Sequence, residues 1–228
     1  MRAFYFMKID YIMTRKQLYF IPFFCLLALV IGKNAGMEDM SLLVACSYLL
    51  FMSTIFATTP FAYSVGKNRE FLLLFPATVT ERVVGRFLFG LSFEGVLGLF
   101  CFMIVGVNML IGVKTPLWML GILLCGCAVG IITVTLEFLL FYLFGEGKDN
   151  WQYLSNIVRI TPGMALFFGS SYLSAALEKA MASDMGMNLE AMSGRLLQAG
   201  VIAVAVALLL TAAAVAICVK VIEKRDYA

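Results

Sequence analysis

Apolar residues in this chain are gathered into long blocks separated by short charged stretches, with neither the strict alternation of a strand nor the one-sided stripe of a soluble helix. Read in order, the blocks predict six spans, about residues 18–32, 41–64, 87–111, 117–144, 157–177 and 196–219. Most are close to the ~20 residues that a helix needs to cross a hydrocarbon layer of ~30 Å. A transmembrane barrel would show segments of about ten alternating residues instead. The fourth block is longer than the layer requires, so one end is expected to tilt or protrude. Pro60 and Pro162 are expected to kink the second and fifth spans, since each removes a backbone donor from a helix interior. Residues 1–16 interleave Phe4, Tyr5, Phe6, Tyr11 and Met13 with Arg2, Lys8, Arg15 and Lys16, the mixture of a helix lying in the membrane interface. Its apolar and charged positions are not cleanly segregated.

Composition agrees with this pattern. The 228 residues are 62% apolar and 14% charged, against about 45–50% and 25% in soluble domains, which excludes a water-soluble fold. The six cysteines (Cys25, Cys46, Cys101, Cys125, Cys127 and Cys218) all lie inside apolar blocks, where a free thiol behaves as a small hydrophobe, so no disulfide framework is implied. Cys125 and Cys127 make only a CxC, too little for a metal site. There is no histidine, which removes histidine proton relays and the commonest zinc ligand together. The net charge of +3 is informative only through its distribution. Thirteen of the 17 Lys and Arg fall at the N-terminus, in 65–86, in 145–159 and in the tail, leaving Lys33, Lys114, Lys179 and Arg195 on the other side. By the positive-inside rule both termini are cytoplasmic.

No loop is long enough for a soluble domain, so the chain reads as one all-α membrane domain over 1–228, and its function must lie in the spans, in the two longest polar segments or in a partner. A phosphate-binding loop needs G-x-x-x-x-G-K-[ST], and the nearest stretch, Gly145-Glu146-Gly147-Lys148-Asp149, lacks the spacing and the hydroxyl. The missing histidines also disfavour intramembrane proteolysis. Two carboxylates lie within spans, Glu94 and Glu137, where a charge costs about 2.5–3.5 kcal/mol unless it finds water, a cation or a proton. Both are expected to face the bundle interior, at similar depth. Either Glu94 pairs with Arg86 and Glu137 with Arg159 as structural ion pairs, or the two glutamates and Arg159 line an inward-open cavity. Gly126 and Gly130 form a GxxxG and Ala203 and Ala207 a second small-residue pair, suited to packing within one subunit or to a subunit interface.

The two polar segments carry their own pattern. In 65–86, Lys67-Asn68-Arg69-Glu70 leads into Phe71-Leu72-Leu73-Leu74-Phe75-Pro76 and then Thr80-Glu81-Arg82. Thr78 or Thr80 can cap a helix that enters the third span, with Glu81 in its first turn. A short amphipathic element here can dock a soluble partner or lie on the membrane surface. From Leu177 into the 178–195 segment, Leu177, Met181, Met185, Leu189 and Met192 recur near helical spacing and predict short helices capping the outer mouth.

The stretch from Arg69 through Thr78, followed by Glu81-Arg82-Val83-Val84-Gly85-Arg86-Phe87-Leu88, resembles the first cytoplasmic loop of the ABC-2 transporter permeases, which has a leucine-rich stretch, a proline, a basic or polar turn and a glutamate before span three. The tail Lys220-Val221-Ile222-Glu223-Lys224-Arg225-Asp226-Tyr227 is similar as well. The Thr78-Val79-Thr80 turn departs from the family in lacking a basic residue. The resemblance covers the whole chain. It implies a bacterial plasma-membrane permease subunit without an ATPase site of its own, coupled through Phe71, Leu74, Pro76, Glu81 and Arg82 to a separate ATPase in two copies that binds ATP and magnesium. It further implies a second permease copy, identical or related, and no role for nucleic acid. Within the family the likeness is to exporters of amphipathic toxin peptides of the phenol-soluble modulin kind and to permeases giving immunity to peptide antibiotics. A membrane scaffold or an ion channel is the reading from outside the family.

Overall fold

The computed structural model describes residues 2–19, 77–110, 118–144 and 189–226, together with Phe23, Cys46, Leu50, residues 55–57, Ile157, Val158, Ile160, Thr161, Met164 and Phe168. The described residues contain four long helices: α1 (Arg2–Leu18), α2 (Val79–Leu110), α3 (Trp118–Phe144) and α4 (Leu189–Asp226). Three carry apolar windows long enough to cross a membrane: Val79–Val107, Trp118–Phe144 and Ser193–Lys224. They are the expected third, fourth and sixth spans.

A Thr-x-x-Glu capping box sets the start of α2. The Thr78 hydroxyl accepts the Glu81 amide N–H at 3.2 Å, and the Glu81 carboxylate accepts the Thr78 N–H at 3.1 Å. Two donors that would be orphaned at the first turn are thereby satisfied reciprocally. Of the two candidate caps, Thr78 is the one used, and the helix begins eight residues before Phe87, the expected start of the span. At 1.5 Å per residue the 32 residues of α2 and 38 of α4 extend about 48 and 57 Å, well past a ~30 Å hydrocarbon layer. Protrusion was expected only of the fourth span, yet α2 and α4 exceed α3.

The contacts fix the helix directions. Gly121 of α3 lies against the backbone of Leu196 and Leu197, Gly200 of α4 against Leu124, and Thr135 against Thr211, so α3 and α4 run parallel. Gly90 of α2 faces Val134 and Phe138, Glu94 faces Gly130, and Gly98 faces Cys127, so α2 and α3 are antiparallel. Cys101 Sγ donates to the Cys46 carbonyl at 3.8 Å and Phe56 lies 6.1 Å from Phe93, which sets the second block antiparallel to α2.

Both small-residue motifs are consumed inside the subunit. Gly126 receives Leu50, Gly130 receives the Glu94 carboxylate, and Ala207 is fully buried with Ala128 and Ile131. Apolar burial does little to bring helices together in lipid, so these close approaches supply the van der Waals contact that does. The larger core cluster gathers Val83, Phe87, Phe89, Phe93, Val134, Phe138, Phe141, Ala214 and Cys218 at the end where α2 begins and α3 finishes. There Phe87 meets Phe138 edge-on at 5.2 Å and stacks over Tyr142 at 6.4 Å. The outward faces, Leu99, Met103 and Val107 of α2 and Val201, Ile202 and Leu209 of α4, are exposed, as lipid-facing positions are.

One expectation is corrected at the start of α4. Residues 189–195 belong to the continuous helix Leu189–Asp226 and not to a separate capping helix; the one weak helix former there, Gly194, costs only about 1 kcal/mol and does not end it. Residues 178–188 lie outside the described residues.

A Cβ on Gly121 would fall 2.6 Å from the Leu196 carbonyl carbon, whereas one on Gly95 would meet nothing within 4 Å. Gly121→Val is therefore expected to destabilise the purified protein by about 1–3 kcal/mol, as overpacking does. Gly95→Ala should leave thermal unfolding in detergent unchanged.

Candidate functional site

Two groups of polar residues are built into the described bundle. The first lies where α1, α2 and α3 meet. Gly85 presses on α1 so closely that a Cβ would fall 2.6 Å from the Ala3 carbonyl oxygen and 2.7 Å from Phe6 Cβ. One turn on, Tyr11 packs edge-on against Phe89 at 4.8 Å and its hydroxyl lies 2.9 Å from Ser92 Oγ. Ser92 spends its own proton on the Phe89 carbonyl at 2.8 Å, so Tyr11 is the donor. Between these contacts Arg86 reaches out of α2 to Asp10, Nε to Oδ2 at 3.5 Å, with the Tyr142 hydroxyl of α3 also against the guanidinium.

Asp10 is 3% exposed. Burial pushes its carboxyl above the ordinary carboxylate range, and the charge and hydrogen bond of Arg86 only partly oppose that. Thr14 adds a second buried hydroxyl on this face, donating to the Asp10 carbonyl at 2.8 Å. Asp10 was absent from the sequence-based candidates, and Arg86 was given Glu94 as a partner. The partner the structure supplies is on another helix. A signal existed, since Asp10 is the sole acid in the first 37 residues and stands among four cations, but nothing in sequence spacing relates it to a residue 76 positions away.

Just before this junction, the Arg82 guanidinium donates to the Ala77 carbonyl at 3.2 Å. With Glu81 folded back into the capping box, both charged members of the expected coupling set are tied to the first turn of α2. Phe71, Leu74 and Pro76 of that set lie outside the described residues.

The second group is the pair of span carboxylates. Glu94 and Glu137 are 3% and 2% exposed, sealed within the bundle. A Cβ on Gly130 would sit 2.8 Å from Glu94 Oε2, so the carboxylate occupies space that only glycine leaves. Glu137 follows Gly130 by two turns on the same face of α3, which also carries Gly126 and Thr133. Cys127 and Cys101 lie near Glu94 as well. The two glutamates are not level. Because α2 and α3 are antiparallel with Glu94 opposite Gly130, the seven residues from Gly130 to Glu137 place Glu137 about 10 Å nearer the end where α2 begins. The expectation of equal depth measured Glu94 from Phe87, and the capped start at Val79 removes that premise. Arg159, the expected cation of this group, lies outside the described residues.

Among the described residues there is no cluster of His, Cys, Asp or Glu arranged to hold a metal ion. Helices of membrane-spanning length, a capped entry to α2 and carboxylates sealed within the bundle define a polytopic α-helical membrane protein. The family model for ABC-2 family transporter proteins matches residues 6–223, and the chain belongs to that family. Its members are membrane-embedded permease subunits that generally pair with an ATPase subunit. No curated protein and no solved structure matches the chain.

Asp10→Ala leaves Arg86 beside an empty buried position and is expected to cost on the order of 3 kcal/mol, the usual result of removing one half of a buried pair. Asp10→Asn, which keeps the shape without the charge, should cost less. Because the folded-state pKa of Asp10 is raised, its contribution is full below the ordinary carboxylate value and declines as pH rises through the raised one. Thermal unfolding against pH should show that decline in the wild type and a flatter profile in Asp10→Asn.

Proposed function

We propose that this chain is the membrane-spanning subunit of an ATP-driven exporter that moves amphipathic, cationic peptides out of a bacterial cell. Family membership supports the transport role. The observation that carries the substrate class is the burial of two carboxylates, Glu94 of α2 and Glu137 of α3, staggered along the face of α3 that carries Gly126 and Gly130. Acids in a membrane interior are costly and are kept where they meet a cation, a proton or a pathway. Sealed as they are in this conformation, they would become available to the lysines of a peptide when the helices part, while the surrounding phenylalanines offer an apolar wall.

In this reading the six spans place both termini in the cytoplasm, and two permease copies enclose the path, since a single bundle with its carboxylates sealed offers too little room. Two copies of a separate ATPase bind ATP and magnesium, the chain itself lacking a phosphate-binding loop. Phe71, Leu74, Pro76, Glu81 and Arg82 form the contact through which nucleotide-driven closure reaches α2. The capping box and the Arg82–Ala77 hydrogen bond make the start of α2 stiff enough to pass on a displacement. Arg159 neutralises a glutamate in the empty state. Immunity to a peptide antibiotic uses the same path with a different cargo.

Glu94→Gln with Glu137→Gln preserves shape and removes charge. In vesicles holding the permease with its ATPase, export of a lysine-rich amphipathic peptide should fall by at least tenfold, while basal ATP hydrolysis continues. Unchanged export across peptides of graded charge would leave the two carboxylates a purely structural part. Leu74→Arg is expected to abolish ATPase stimulation by substrate without loss of the folded permease. A variant that still captures its ATPase and transports normally would remove the 65–86 loop from the coupling path.

A further inference from the structure

The outer face of α1 has not entered the transport argument, and its chemistry is distinctive. Phe4, Tyr5, Lys8, Ile12, Arg15, Lys16 and Tyr19 are exposed, whereas Asp10 and Thr14 are buried. At about 100° per residue those seven positions fall within an arc of roughly 120°, and Ala3, Phe6, Met7, Asp10 and Thr14 fall opposite. The exposed arc therefore carries three cations, four large apolar or aromatic side chains and no acid. The acid that the sequence supplies to this helix is turned inward onto Arg86, 3.5 Å away. Docking and charge sorting are one event: the contact that seats α1 on α2 also strips its outer face of negative charge.

We infer that this face binds the headgroups of anionic phospholipids in the adjoining leaflet, with Lys8, Arg15 and Lys16 on the phosphates and Phe4, Tyr5, Ile12 and Tyr19 set among the upper acyl chains. The occupant follows from complementarity. A cationic arc with interleaved aromatics is what an anionic interface attracts, and Gly85, Arg86, Phe89 and Ser92 hold the opposite face against a helix of membrane-spanning length. An uncharged surface would satisfy the aromatics and leave three cations unused. The inference depends on the membrane reading alone and not on any exported substrate.

The test uses the full-length permease in nanodiscs of phosphatidylcholine with or without phosphatidylglycerol, followed by amide hydrogen exchange over residues 2–19. Each Lys or Arg at an anionic surface is worth roughly a fivefold preference, so local opening of α1 should slow by at least tenfold when phosphatidylglycerol is present, and less so at high salt. Lys8→Gln with Arg15→Gln and Lys16→Gln should erase the difference. Lys8→Arg with Arg15→Lys and Lys16→Arg should retain it, which separates lost charge from lost folding. Equal exchange in the two lipids, or a difference that survives the triple glutamine variant, overturns the inference. So does slowing in phosphatidylcholine on adding soluble glycerol phosphate, which would mark a site for a free anion. Slowing only with the ATPase subunit bound would mark a protein contact, and would also overturn it.

Discussion

Every described contact of this bundle depends on how closely helix backbones can approach, because apolar burial gives little drive to associate in a lipid solvent. Gly121 and Gly200 let α3 and α4 touch nearly backbone to backbone, whereas Gly90, Gly98 and Gly130 give room to side chains of the facing helix between α2 and α3. Along these seams the register is discrete, since a shift of one residue would drive a Cβ into a carbonyl between α3 and α4 and into a side chain between α2 and α3. The parallel relation of α3 to α4 and the antiparallel relation of α2 to α3 follow from the seams. The placement of Glu94 and Glu137 follows in turn.

The polar groups obey the complementary constraint that nothing polar faces hydrocarbon unsatisfied. Thr211 donates to the Ala207 carbonyl at 2.9 Å, so the 2.7 Å contact between Thr135 and Thr211 must use the Thr135 proton, and one hydroxyl pair ties α3 to α4 at depth. Tyr11 and Ser92 repeat this logic between α1 and α2. Glu94 is kept from hydrocarbon by burial instead, its carboxylate seated against Gly130 within the bundle. The same small residues thus set helix distance and make room for charge, which places Glu94 on the seam between α2 and α3.

At the end where α2 begins, rigidity comes from a chain of local devices. The capping box starts the helix, Arg82 clasps Ala77, and Arg86 pins α1 and touches α3 within the next turn. A force applied at residue 77 would reach three helices without passing through a flexible joint.

Hydrophobic blocks of membrane length were legible at once, because the bilayer imposes its thickness on any chain that crosses it. The Thr-x-x-Glu cap was legible too, since it needs residues only three apart, although choosing Thr78 over Thr80 and moving the helix start to Val79 took the structure. The burial of Glu94 and Glu137 could be expected from cost alone. Their stagger could not, for depth depends on which residue of α3 lies opposite Glu94, and that is set by glycine contacts between helices. The faces of α1 looked mixed because hydrophobicity does not sort them; charge sign does, and the sorting appears only once Asp10 meets Arg86. What one sequence determined here is what neighbouring residues and the solvent dictate. The tertiary structure alone decided the pairings between distant residues, because a register between helices is a property of two surfaces and is written in neither strand of sequence by itself.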